Sequence, residues 1–140
     1  MVLAGMWGIY FTYQNVVREQ ITTPDDASIP NTLVRGPLTL KSQADIIRKH
    51  VLETTEGKTF SQMPQKIQKQ DADGDLVFDE NGKPVMITND ARAIWITATS
   101  LMTALNLAII AYAFSALVIF IGLISIWIGI IFRALKKKYK

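Results

Sequence analysis

Four aspartates near the middle of the chain are the side chains whose spacing could bind an ion. Positions one, three, five and nine of a calcium-binding loop would be Asp71, Asp73, Asp75 and Asp79. Such loops surround the ion with carboxylate and carbonyl oxygens. However, Leu76 stands where the loop uses a glycine for its sharp turn, and Gly82 stands where a bidentate glutamate belongs. The pattern favours a solvated acidic turn over a calcium site, so we predict no metal.

The chain has one histidine, His50, and no cysteine. Without cysteine there is no disulfide, thiolate zinc site or cysteine nucleophile. On a predicted helix, His50 has Glu53 about one turn away on the same face, so a pH-sensitive contact or a cofactor ligand stays open beside an ordinary surface residue. Neither a G-x-S-x-G elbow nor a glycine-rich phosphate loop occurs. We therefore predict no catalytic residues, no cofactor and no enzyme activity.

Charge is distributed unevenly along the chain. All acidic residues lie between Glu19 and Asp90, whereas the last eight positions hold a basic cluster, Arg133, Lys136, Lys137, Lys138 and Lys140. The sequence pI of about 9.2 reflects this tail. It does not indicate a folded basic surface with stacking aromatic residues, so we predict no nucleic-acid partner.

The element that positions everything else is a long run without charge, residues 93–132. We predict one helix over residues 93–135, whose part at about 105–132 crosses the membrane. The ~30 Å hydrocarbon core needs about 20 residues, and this run is longer. Because basic residues near a membrane end favour the cytoplasm, we place the tail, residues 136–140, on that side.

One side of this predicted helix is small at nearly every turn. Lipid does not select for such a side, whereas a partner backbone can approach it closely. Alternating steps of four and three residues define the predicted helix-packing face: Ala104, Ala108, Ala111, Ser115, Val118, Gly122, Ser125 and Gly129. Bulky residues such as Leu105, Tyr112 and Ile119 fall on the other side, which we expect to face lipid or a looser protein contact.

Residues 1–17 form a second apolar stretch, interrupted only by Gln14 and Asn15. It spans roughly 25 Å as a helix, which is marginal for a crossing. A signal-peptide core is the alternative, but no basic residue precedes the stretch and no small-x-small site follows it. We therefore predict two antiparallel transmembrane helices in a mainly α membrane protein. Both termini then lie in the cytoplasm, and residues 18–100 lie outside the plasma membrane.

The outer segment, residues 18–92, begins with a proline-spaced stretch and is predicted to contain one short helix and a β-hairpin. Ser42 and Asp45 resemble a capping box, so we expect the helix at about residues 42–54, ended by Gly57. Asn81-Gly82 is a hairpin turn signal between two apolar runs, which places the hairpin at about residues 75–88. Either Asn89 or Asp90 is suited to cap the long helix.

Four features occur together along the chain: an Asp-Asp-Ala turn at residues 25–27, a Gln-Ala-Asp helix at 43–45, a Gly-Lys-Thr step at 57–59 and the final apolar helix. In this combination the chain resembles a family of small two-helix membrane proteins from actinobacteria and related phyla. Relative to that pattern, residues 70–88 are an insertion. Members are often labelled aromatic ring-opening dioxygenases, but a non-haem iron site of that kind needs two histidines and a carboxylate. The resemblance implies topology and no known chemistry.

These observations favour a non-catalytic accessory or structural subunit of a larger integral membrane complex. An energy-transducing complex, respiratory or photosynthetic, is the kind we expect. The partners would be the lipid bilayer and other integral membrane subunits, contacted through the helix-packing face. The alternative is a free-standing envelope protein whose outer segment binds a ligand, a lipid or calcium.

Overall fold

The computed structural model describes residues 1–138 and is mainly helical. Its elements are α1 (Val2–Arg18), α2 (Pro37–Thr54), a 3-10 turn (Phe60–Gln62), β1 (Lys66–Gln68), β2 (Met86–Thr88) and α3 (Asp90–Lys138). By length and composition α3 could cross a membrane, since its most apolar window has a mean hydropathy of 2.7. With 17 residues α1 is shorter, and a second span is not shown. Two compact units share the chain: Met1–Ile46 with everything from Thr103 onward, and Ile47–Met102.

Helix α2 begins at Pro37, five residues before the predicted start at 42. Proline suits the first helical position because it lacks an N–H that would have no intrahelical acceptor. The capping hydroxyl is that of Thr39, which accepts the N–H groups of Arg35 and Gly36 at 3.0 and 3.2 Å. Ser42 is therefore not a cap. Its buried hydroxyl accepts the backbone N–H of Ile29 at 3.0 Å and fastens the preceding loop to the helix.

The same loop is organised around a second buried hydroxyl, that of Thr23. Its Oγ1 donates to the carbonyl of Ile29 at 2.5 Å and accepts the N–H of Thr32 at 3.0 Å. A bridge between Thr22 and Leu33 closes the loop at its base. The proline-rich stretch is thus an ordered arch, in which buried side-chain hydroxyls supply the hydrogen bonds that regular structure would otherwise provide.

The end of α2 follows the prediction at Gly57. The N–H of Gly57 bonds to the carbonyl of Leu52 at 2.7 Å and that of Glu56 bonds to Glu53 at 3.3 Å, the two bonds of a Schellman motif. Glu56 takes the left-handed conformation with φ +53°, and Gly57 follows at +75°. Lys58 donates to the Glu56 carboxylate at 2.8 Å and, mainly through this hydrogen bond and then its charge, lowers the pKa of Glu56.

The core of the second unit is a small apolar cluster. Val51, Met63, Trp95 and Ala98 are buried against one another. Arg92 covers one side of this cluster, with its guanidinium carbon 3.8 Å from the centre of the Phe60 ring and its Nη1 donating to the carbonyl of Met63 at 2.6 Å. Both interactions hold the 3-10 turn against the first turns of α3.

The hairpin differs from its prediction because a third segment joins it. Strand β1 pairs antiparallel with β2, with Ile67 opposite Ile87. In the segment between them, Leu76 makes an isolated bridge to Gln70 and Phe78 makes one to Pro84. The segments enclose two tight turns of the same construction. Asp71 Oδ1 accepts two N–H groups at 3.0 and 2.9 Å, and Asp79 Oδ1 accepts two at 2.9 and 2.8 Å. Each turn ends on a glycine with positive φ, Gly74 or Gly82.

Helix α3 runs from Asp90 to Lys138, slightly longer at each end than the predicted 93–135. Asn89 is its cap, since its side-chain oxygen accepts the N–H of Ala91 at 3.1 Å. The side-chain nitrogen of Asn89 also donates to the carbonyl of Pro64 at 3.0 Å. Of the predicted basic tail at 136–140, the first three lysines belong to the helix, and positions 139 and 140 lie outside the described residues.

Candidate helix-packing site

Helices α1 and α3 pack antiparallel, and glycine permits the close approach. A Cβ built on Gly5 would lie 2.5 Å from Ile119 Cγ1 and 2.7 Å from the carbonyl oxygen of Ser115. One built on Gly122 would lie 2.9 Å from the backbone nitrogen of Val2. Contact therefore runs from Val2 at Gly122 to Gly8, which meets the Ser115 hydroxyl. Small residues at such contacts increase van der Waals packing between helices.

The contact face of α3 repeats every seven residues. Its large members are Leu105, Tyr112 and Ile119, of which the first two are buried and the third half-buried. Its small members are Ala108, Ser115 and Gly122. Large and small rows in alternation give the 3.5-residue period of a left-handed helix pair. Continuing the same count places Ile126 in the large row and Gly129 in the small row.

In the structure, part of the predicted helix-packing face is buried in this contact and the rest is exposed. Ser115 and Gly122 are buried, and Ala108 and Ala111 are half-buried, whereas Ala104, Ser125 and Gly129 are exposed. Sequence analysis missed the large row, because Leu105, Tyr112 and Ile119 were assigned to a bulky outer side. The signal that could have identified them is their own seven-residue spacing.

Helix α1 covers this face only as far as Gly122. Every described residue of α3 beyond it, from 123 to 138, is exposed within the chain. A Cβ added to Gly129 would meet no atom within 4 Å. The hydroxyl of Ser125 donates to the carbonyl of Ile121 at 2.9 Å, so this hydrogen bond lies within the helix. Ser125 would therefore contribute to a contact with another helix through its small size.

The four aspartates considered for calcium lie in the two tight turns described above, residues 71–75 and 79–83, which we call the twin turns. The carboxylates of Asp71 and Asp79 are engaged by backbone N–H groups of their own turns, as described above. All four residues, with Asp73 and Asp75, are exposed. Within residues 1–138, no group of three or more histidine, cysteine or acidic side chains is placed to hold a metal ion.

His50 is exposed and lies along a shallow groove in the second unit. The groove has a volume of about 460 Å³ and is lined mainly by apolar and threonine side chains of α2 and α3, among them Val51, Ile94 and Leu101. No acidic residue is among the groups that line it.

Comparisons with models of protein families, with curated proteins and with solved structures find no match for this chain. The class of protein therefore follows from the structure alone. Over residues 1–138 it is mainly helical, with three α-helices and a small two-stranded sheet, and one of the helices, α3, is long and apolar enough to span a membrane.

Proposed function

We propose that the chain is a non-catalytic accessory subunit of a larger integral membrane complex. Its own contribution is packing, in which α3 crosses the bilayer and presents its unoccupied face to a helix of another subunit. An energy-transducing complex, respiratory or photosynthetic, is the setting we propose.

One observation supports this proposal: the contact pattern of α3 extends farther along the helix than α1 covers it. The seven-residue pattern continues through Ile126 and Gly129. The N-terminal end of α1, however, lies opposite Gly122, so α1 does not reach these residues. Ten residues, 123–132, lie between Gly122 and Arg133, and the two positions are about 16 Å apart along the helix axis. A partner helix lying end to end with α1 would use the same alternation of large and small residues.

The topology that we propose places the basic end of α3 in the cytoplasm and residues 18–100 outside. Helix α1 inserts antiparallel to α3. In one arrangement, α1 crosses the bilayer completely and residue 1 lies in the cytoplasm. Residues 123–132 of α3 then extend beyond the N-terminal end of α1, and a partner must cover their apolar side chains. If α1 enters only part of the bilayer, residues 123–132 lie in the core beside the partner. Both arrangements leave the same face of α3 to another subunit.

Purification of the full chain in mild detergent tests the proposal. We expect stoichiometric integral membrane proteins to accompany it through size exclusion, because tightly packed helix contacts survive gentle extraction. Recovery of a monodisperse single chain from its native membrane would contradict an accessory role.

The free-standing envelope protein is kept as a second candidate because the twin turns resemble a calcium loop in spacing. Calorimetry with calcium on the full chain separates the two functions. Asp73→Ala is the suitable control, since the turn's hydrogen bonds use the carboxylate of Asp71 and only the backbone N–H of Asp73. Calcium binding that Asp73→Ala abolishes would favour the envelope protein.

A further inference from the structure

A tyrosine of the first unit lies about one hydrocarbon thickness along α3 from its basic end at Arg133. Counting about 20 residues back from Phe132, the length of helix that crosses the hydrocarbon core, ends at Ala113. The next residue is Tyr112, whose hydroxyl donates to the carbonyl of Arg35 at 2.8 Å. Tyrosine is favoured at membrane interfaces, and arginine is costly inside the core. Both residue types agree with a boundary at this level of α3.

The loop that Tyr112 holds has an apolar outer surface. All residues from 32 to 39 except the buried Val34 line an open cavity of about 500 Å³, whose walls include Leu33, Arg35 and Leu38. Leu38 is 78% exposed on the first turn of α2. A leucine this exposed beside an arginine suits the layer in which lipid phosphates lie next to the first acyl carbons, because each side chain then has a matching neighbour.

We propose that residues 32–39 form a contact with the phospholipid leaflet on the side away from Arg133. Leu38 enters the acyl boundary beside the cavity, and the Arg35 guanidinium binds a lipid phosphate. This contact fixes the depth of the outer segment against the membrane. The proposal rests on a crossing of α3 at residues 113–132, which corresponds to the arrangement above in which α1 enters only part of the bilayer, and it does not depend on any partner subunit.

Because the chain has no cysteine, single cysteines can carry nitroxide labels without further changes. We would label Leu38→Cys, Asp45→Cys and Ile128→Cys in the full chain, reconstituted in phosphatidylcholine–phosphatidylglycerol nanodiscs. Asp45 is the matched control, on the same face of α2 and about 10 Å farther along it. Power-saturation measurements then compare collisions with oxygen, which concentrates in lipid, and with a water-soluble nickel chelate.

We expect the label at 38 to collide with oxygen severalfold more than with nickel, and the label at 45 to show the reverse. Arg35→Gln should raise nickel access at position 38 severalfold, and Arg35→Lys should restore the original value. The loop stays attached in both variants, since Tyr112 bonds to the backbone of Arg35 and not to its side chain.

The label at 128 separates failure of this contact from failure of the crossing. If position 128 is lipid-exposed and position 38 behaves like 45, the lipid contact is wrong and the crossing stands. Nickel access at 128 would overturn both proposals. A label at 38 shielded from both reagents would show that protein occupies the cavity, which also contradicts the lipid contact.

Discussion

At the scale of single residues, two glycines of the helix-packing site have opposite surroundings. We expect Gly5→Ala to destabilise the chain by about 1–2 kcal/mol, because its Cβ would overlap Ser115 and Ile119, and overpacking costs more than the ~1 kcal/mol of helix propensity that alanine gains. Gly129→Ala has no neighbour within 4 Å and should be neutral or slightly stabilising in the isolated chain. Thermal or denaturant unfolding in detergent measures both. Equal effects would contradict the antiparallel contact.

Glu56 offers a second residue-scale prediction, outside the membrane helix. Its pKa is lowered by Lys58, so their interaction stabilises the fold above the ordinary carboxyl pKa and is lost as pH falls through the lowered value. We expect Lys58→Met to raise the pKa of Glu56, measured by NMR titration of its side-chain carboxyl carbon. Lys83→Met, which removes another exposed lysine of the same unit, should leave it unchanged. Because Glu56 is fully exposed, the effect on stability is small.

The structural roles of some residues could be predicted from the local sequence, whereas the roles of others depend on tertiary contacts. Gly57 ends α2 and Asn89 caps α3 because both roles depend on backbone geometry within a few residues. Ser42 matched a capping pattern equally well, but a loop thirteen residues earlier in the chain takes its hydroxyl. The seven-residue spacing within α3 could have indicated that Ile119 faces inward, but its partner could not be predicted from α3, since the space that receives it is left by Gly5 of another helix.

At the scale of elements, the sheet could likewise be predicted only in the part that depends on local sequence. The Asn81-Gly82 turn was predicted from its dipeptide, and a bridge pairs Phe78 with Pro84 across it. Strand β1 was missed because its three residues alternate polar and apolar types too briefly to be distinguished from a loop. The start of α2 was missed for a related reason, because its cap, Thr39, lies inside the helix that it stabilises.

The twin turns yield a prediction at this scale. We expect Gly82→Ala to cost about 1 kcal/mol, because φ is +73° there and a Cβ is strained in the left-handed region. Hydrogen exchange at the amides of Asp79 and Lys83 should speed up about fivefold, since their bonds close this turn. Glu80→Ala, a substitution in the same turn, is the control. Unchanged exchange in Gly82→Ala would mean that the turn does not depend on this conformation.

At the scale of the whole molecule, helices α1 and α3 differ in length, and this difference bears on function. A protein that only anchored an outer segment would need α3 to be apolar but not patterned beyond the reach of α1. Instead, the alternation of large and small residues extends to Gly129. Sequence analysis predicted a small-residue face from Ala104 to Gly129, and the structure places the N-terminal end of α1 against Gly122. Whether another subunit occupies the remainder stays a prediction.

Enlarging the uncovered part of the face tests that prediction directly. Gly129→Leu should leave the chain folded, because the site is open within it, yet reduce recovery of partner subunits by about tenfold or more, as expected when overpacking removes roughly 1–3 kcal/mol of contact. Ala116→Leu introduces the same side chain at an exposed position on a different face of α3 and should have little effect. Quantitative mass spectrometry of mild-detergent eluates compares the two variants. Full recovery with Gly129→Leu would place the partner elsewhere, because a helix packed against Gly129 cannot accommodate a leucine without moving away.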